Sequence, residues 1–222
     1  MKREWLGVMV LGTAALGCGL IEDLPGLLGG QEAPVVGEAG EVLFSDDFSD
    51  AGSGWDIVEG NTDYFEDAYR IYVEQASYDR WANPGRNFTG DIRIDVDITK
   101  AGGPDDNNFG VQCRYHDNDG FDYYGFQISS DGYVWIQRVD DGTPVGLSSE
   151  KMQPSDAVLQ GAATNHLTVY CTGSELSLWV NGQKVASATD STYPDGDVGF
   201  IAGTYETPGT DMRFDNLLVQ AE

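Results

Sequence analysis

The sequence predicts an all-β fold, an antiparallel sandwich or barrel, on three observations. From Val42 onward the chain runs in short segments of alternating apolar and polar residues, punctuated by Gly, Asp, Asn and Pro. Twenty-nine glycines against four lysines supply many turns and few surface helices. No stretch sustains the 3.6-residue apolar period of an amphipathic helix, and no segment repeats.

The 222 residues suffice for one all-β domain, and folding would hide roughly 70% of the extended chain's surface. Apolar content of 41% with 11% aromatics is too rich for disorder. With 37 acidic and 12 basic side chains the net charge is −25. Nucleic acid and anionic membrane surfaces are therefore excluded as partners, since each would be approached against the protein's own field.

Elements follow in chain order. Lys2 and Arg3 precede an apolar run from Trp5 to Leu16, and Ala15-Leu16-Gly17 leads into Cys18, which reads as a signal peptide over residues 1–17. The run is shorter than the ~20 residues a bilayer span needs. The cleavage region resembles a bacterial lipobox, with Cys18 as the lipid-modified residue. It departs from that pattern at Ala15, where leucine is usual, and at Leu16, where a small residue is usual. Ordinary signal peptidase also fits Ala15 and Gly17, so two exported forms stand: an envelope lipoprotein held to the membrane only by its lipid, or a soluble secreted or periplasmic protein. Residues 18–41, with Gly-Gly and two prolines, read as a flexible tether.

Cys18's modification would leave Cys113 and Cys171 as an even pair, which export into an oxidising compartment would join. Otherwise they remain two small buried thiols. Phe109, Val111, Cys113 and Tyr115 share one parity, with Gln112, Arg114 and His116 on the other; Leu167, Val169 and Cys171 also share a parity. Both cysteines can thus face the core.

Two hairpins set the faces. Asn181-Gly182 supplies the two positive-φ residues of a type I′ turn, which would set Leu178 against Val185 inside and Trp179 against Lys184 outside. Between residues 123–129 and 133–139, a three-residue Ser130-Asp131-Gly132 loop pairs Ile128 with Val134 and Phe126 with Ile136, giving one apolar face. The opposite face then carries Tyr123, Gln127, Tyr133, Trp135 and Gln137. If Gln112 and Arg114 share it, rings and planar hydrogen-bonding groups are mixed as a carbohydrate requires, C–H faces on the rings and hydroxyls on amides and guanidinium. An ordinary solvated sheet face would look similar. The loops at 102–108 and 117–122 are the other candidate rim.

The runs Phe109-Gly110-Val111-Gln112-Cys113-Arg114-Tyr115, Tyr123 to Gly132, Leu176-Ser177-Leu178-Trp179-Val180-Asn181-Gly182 and Phe214-Asp215-Asn216 resemble the concanavalin A-like lectin/glucanase superfamily. Within it, residues 42–220 are most similar to exported bacterial jelly-roll domains of the laminin G-like and 3-keto-disaccharide hydrolase-like type. The resemblance implies a two-sheet antiparallel jelly roll whose concave face or rim loops bind glycan.

Enzyme chemistry is sparse by motif. The glucanase branch carries E-x-D-x-x-E, a carboxylate pair for retaining hydrolysis, and no E-x-D occurs here. There is no G-x-S-x-G, and His116 and His166 lack zinc-type spacing. Charges in Asp91–Ile98 alternate as a solvated outer face does. Asp46 and Asp47 near the first strand and Asp215 with Asn216 near the last would meet if the termini pair, where Asp47 and Asp215 could share a structural calcium ion or simply cap turns. Asp117-Asn118-Asp119-Gly120 is only part of a calcium loop. The expected function is an envelope-tethered, non-catalytic carbohydrate-binding or adhesion module with a glycan or polysaccharide partner. The alternatives are a glycoside hydrolase of the 3-keto-disaccharide hydrolase-like type and a structural scaffold.

Overall fold

A computed structural model describes Val35, residues 37–117 and residues 120–222. These form two antiparallel sheets packed face to face, with no helix. Strands are numbered in chain order. Sheet 1 runs β14 (Gln183–Thr189), β13 (Glu175–Val180), β12 (Thr164–Thr172), β6 (Ile92–Gly102), β16 (Thr210–Ala221), β3 (Tyr69–Val73), β2 (Thr62–Tyr64), with β1 (Val42–Asp46) also on β16. Sheet 2 runs β10 (Thr143–Gly146), β9 (Tyr133–Asp140), β8 (Phe121–Ile128), β7 (Asn107–Asp117), β15 (Asp195–Thr204), β4 (Tyr78–Ala82). Short β11 (Gln153–Pro154) joins β9, and β5 (Phe88–Thr89) joins β15. This is the expected two-sheet jelly-roll sandwich, and the first and last strands do pair, Asp46 facing Leu217.

Alternation decides what enters the core. On β6, Ile92, Ile94, Val96 and Ile98 are buried between the sheets while Arg93, Asp95 and Asp97 turn out. Asp95 is covered by Arg93 and Thr168 rather than solvated. At the centre Phe200 stacks on Phe214 at 4.2 Å and on Trp55 at 4.4 Å. These rings are a large apolar contribution to the core, because each buries more area than an aliphatic side chain.

Both hairpin turns form as expected. Asn181 and Gly182 have positive φ, and the 130–132 loop pairs Ile128 with Val134 and Phe126 with Ile136. One register differs: a bulge between Leu178 and Trp179 sets Leu178 against Ala186, not Val185, while Trp179 keeps Lys184. The extra residue lets both Val185 and Ala186 pack partly on the core.

A second bulge matters more. On β7 the register shifts after Cys113, and Arg114 adopts a left-handed φ of 54°. Parity flips there, so Tyr115 turns outward and Arg114 turns in, contrary to simple alternation. Its guanidinium donates to the carbonyls of Cys171, Gly173 and Tyr193 at 2.8–3.2 Å, and burial lowers its pKa. One residue earlier, the Cys113–Cys171 disulfide joins β7 of sheet 2 to β12 of sheet 1. Asp190 completes this end. Burial alone would raise its pKa, but hydrogen bonds from Tyr124 and Thr192 and the charge of Arg138 bring it down to about 2.

The end of the segment expected to be a tether is tied to the sandwich: Val35 bridges to Phe88, and Gly40 donates to the Ala221 carbonyl. Residues 1–34, with the signal segment and Cys18, lie outside the described residues, as do Asn118 and Asp119. Among the described residues no helix is long and apolar enough to cross a membrane.

The crosslink spans 58 residues, so loop entropy assigns it about 4 kcal/mol. Reduction should lower the melting temperature by roughly 10 °C. Superimposable calorimetric traces with and without reductant would show that the cystine adds nothing to the Arg114 contacts.

Candidate functional site

The outer face of sheet 2 can be read row by row from the register. One row crosses five strands as Trp135, Gln127, Gly110, Ile201 and Trp81. The next carries Gln137, Gly125, Gln112 and Gly199, and on the other side lies Asn108, Gly203 and Asp79. Four strand spacings separate the two tryptophans, roughly 19 Å. Glycine is required at Gly203, where a methyl group would overlap the Asp79 carboxylate and the Asn108 carbonyl oxygen. Gly199 likewise leaves room for the Asn83 and Gln112 amides.

Of the residues expected on this face, Gln112, Tyr123, Gln127, Tyr133, Trp135 and Gln137 share it. Arg114 does not, because the bulge carries it between the sheets; it holds the fold and is corrected from ligand binding to that role. The remaining six divide. Gln112 is 0% exposed and set against the Tyr123 hydroxyl, and Tyr123 is itself packed on Val139 and Ile201. Gln127 and Gln137 are buried too. The Gln127 Nε2 and the Gln137 Oε1 have no protein partner, so the floor keeps unsatisfied polar atoms. Trp81, Tyr115 and Phe121 close the far end as an aromatic cluster, with Trp81 and Phe121 centroids 4.3 Å apart.

Tyr133 and Trp135 stand at the open end. They line a cavity of about 440 Å³ with Asp131, Lys151, Met152 and Tyr205. The Trp135 indole donates to the Ser149 carbonyl at 2.9 Å, which fixes the ring. A second cavity of about 570 Å³ shares Asp106 and Tyr205 with the first and adds Tyr78, Asp79, Asn108 and Glu206. The two adjoin, and the 102–108 loop forms part of their wall.

Residue chemistry in the second cavity is specific. Asn108 donates its amide to Asp79 Oδ1 at 3.1 Å, leaving its own Oδ1 buried without a partner. Partial loss of hydration raises the Asp79 pKa, against the lowering effect of that hydrogen bond, although the residue keeps an exposed surface. Tyr205 is pushed up to about 12 by burial and then by the charges of Asp79, Asp106 and Asp131. Its hydroxyl therefore stays protonated, with only the Met152 sulfur as acceptor at 3.5 Å. A further perturbed carboxyl, Asp197, is pushed up to about 7 by burial, but its oxygens accept from the backbone of Val198 and Arg86 and so hold a loop.

Asp79, Asn108 and Tyr205 were not singled out by sequence. The glycines of Asp195–Thr204 were the available signal, since small residues on one strand face mark where neighbouring side chains lie across the backbone.

The residues considered for calcium sit apart from these cavities. Asp47 accepts from the Ser49 backbone and hydroxyl, which lower its pKa, and Asp215 accepts from the Asn216 backbone. Among the described residues no group of three or more His, Cys, Asp or Glu is placed to hold a metal. A calcium ion shared by Asp47 and Asp215 stays a proposal. Chelator should then lower the melting temperature of wild type but not of Asp215→Ala, whereas identical curves would leave turn caps alone.

Residues 42–220 match the family described as 3-keto-alpha-glucoside-1,2-lyase-like domain. No curated protein sequence matches the chain. Among solved structures, the carbohydrate binding module CBM66 from Bacillus subtilis superposes with a TM-score of 0.61 at 16% identity, covering 76% of this chain and 96% of its own. The apo Crh5 transglycosylase gives 0.60 at 12%, covering 86% and 89%. A Bacillus licheniformis beta-glucanase gives 0.56 at 13%, covering 81% and 97%. Likeness at these identities establishes the fold.

If Trp135 is a sugar platform, Trp135→Ala should leave the fold intact and weaken a glycan ligand by more than about tenfold, the equivalent of ~1.4 kcal/mol. Titration calorimetry on the variant checks this; unchanged affinity would remove the ring from the site.

Proposed function

The chain belongs to the family of 3-keto-alpha-glucoside-1,2-lyase-like domains, and from that membership we propose that the paired cavities on the outer face of sheet 2 bind a glycoside and cleave it by elimination. The observation that carries this reading is one cavity lined by the Asp79 carboxyl, which accepts from Asn108, and by Tyr205, and bordered by exposed rings.

A ketone at sugar carbon 3 acidifies the hydrogen on carbon 2. Asp79 is the base that takes this proton, and a carboxylate of raised pKa is a stronger base than an ordinary one. The released electron pair forms the second, π bond between carbons 1 and 2 as the bond from carbon 1 to the glycosidic oxygen breaks. Tyr205 donates its proton to that departing oxygen. Proton return from Asp79 to Tyr205, directly or through water, restores both groups. Trp135 and Tyr133 supply ring faces for the sugar on either side of the reacting unit.

A non-catalytic binding role is the second reading, favoured by the exposed Tyr78, Tyr133 and Tyr205 rings, which would serve retention as well as turnover. In either case export would place the domain where free glycans occur, and a lipid on Cys18 would keep it at the envelope.

The test is release of the aglycone from a chromogenic 3-keto-α-glucoside. Wild type should turn it over, with activity rising as pH passes upward through the raised Asp79 pKa and the base loses its proton. Asp79→Asn should cost on the order of 10²–10⁴-fold in kcat. Saturable binding without turnover would leave the binding reading; neither would exclude both.

A further inference from the structure

We infer that the glycoside carries an apolar group on the side of its reacting sugar away from the leaving oxygen, an aryl or acyl substituent at the carbon 4 end, seated in a third cavity lined by Ile57, Val58 and Trp81. The inference rests on the reading of the paired cavities as a sugar site and names the class of glycoside.

Its first basis is the order of the cavities. Tyr205 lines the first and the second, whereas Asp79 lines the second and a third of about 370 Å³. With the leaving oxygen at Tyr205 and carbon 2 at Asp79, the sugar ring continues through carbons 3 and 4 away from the first cavity and towards the third. The third cavity falls in the size range of small-molecule sites, roughly 300–1,000 Å³.

The second basis is what stands there. Ile57 is 59% and Val58 51% exposed, and neither packs against the core. A single exposed aliphatic residue is ordinary, but two in succession that border one cavity with a tryptophan form a patch. Their backbone is fixed. The Asp56 N–H donates to the Asn83 carbonyl at 3.3 Å, the Val58 N–H to the Thr62 carbonyl at 3.0 Å and the Asn61 N–H to the Val58 carbonyl at 2.8 Å, so the patch is formed before any ligand arrives.

The polar side chains around the patch are engaged within the protein. Thr62 accepts at its hydroxyl from the Val58 N–H, Asp56 accepts from the Asn83 N–H, and the Arg80 fork donates to Glu74 while its plane lies over the Tyr78 ring. The Trp81 indole N–H donates to the Tyr115 hydroxyl. A further sugar here would set hydroxyls against aliphatic side chains, whereas an aryl or acyl group removes apolar surface from water on both partners.

Binding is measured calorimetrically with the full chain and three non-reacting probes: methyl α-glucoside, its 4-O-benzyl ether and methyl α-maltoside, which carries a second glucose at the same carbon. The benzyl ether should bind at least about tenfold tighter than either of the others. Ile57→Ser combined with Val58→Ser should abolish that margin while affinity for methyl α-glucoside stays unchanged, which also reports an intact fold. Should the pair disturb methyl α-glucoside binding, Ile57→Ser alone, at the more exposed position, is expected to narrow the margin.

Equal binding of the benzyl ether and methyl α-glucoside overturns the inference and leaves the sugar-site reading standing. So does a maltoside that matches or exceeds the benzyl ether, because the third cavity would then take a sugar chain. A margin that survives both variants also overturns it, since the benzyl ring would be held elsewhere. Failure of all three probes to bind overturns the inference together with the site reading.

Discussion

The left-handed backbone at Arg114 is the constraint on which the rest of the arrangement depends. It reverses the parity of β7, so that residues before it present Gln112 to the outer face and residues after it present Tyr115. A guanidinium enclosed between two sheets is tolerated only when its donors find acceptors, and here three carbonyls from sheet 1 and the neighbouring loops provide them. The adjacent cystine ties the same pair of strands. One end of the sandwich is thereby fastened by covalent, ionic and hydrogen-bonded links within a few residues.

The proposed site lies at the other end of the same strands. Six residue steps along β7 separate Arg114 from Asn108, about 20 Å of extended chain. The cavities around Asn108, Asp79 and Trp135 are bounded by loops and by strand ends instead of by cross-links. A rigid far end can hold a polar floor of unpartnered amides without collapse, because the strands that carry it cannot slide to satisfy them. Such a floor costs stability, and its offset is the stacked aromatic core of Trp55, Phe200 and Phe214 directly behind it.

The hairpins were legible in the sequence because their cause is local. Asn181-Gly182 can adopt the turn almost anywhere, and the apolar set of Phe126, Ile128, Val134 and Ile136 falls on one face in only one of two loop lengths. Tyr133 and Trp135 followed from that register. Arg114 did not, since simple alternation has no term for a bulge whose partner, the close-packed Gly196, lies 82 residues further along the chain (196 − 114). Asp79 and Tyr205 were hidden for a similar reason: they meet Asn108 only after β15 has been placed between β7 and β4. No motif of fixed spacing joins these positions, whereas the family resemblance over 42–220 reached the fold without them.

The central claim is that sugar occupies the open end of the outer face of sheet 2. Nuclear magnetic resonance of the Trp135 indole N–H and the Asn108 side-chain amide during titration with a non-reacting α-glucoside tests it most directly. The account predicts that both signals shift together and saturate at one ligand per chain, while the Trp179 indole on sheet 1 stays still. Saturable shifts confined to Trp179 and the β13–β14 hairpin would contradict it and place the ligand on the opposite sheet.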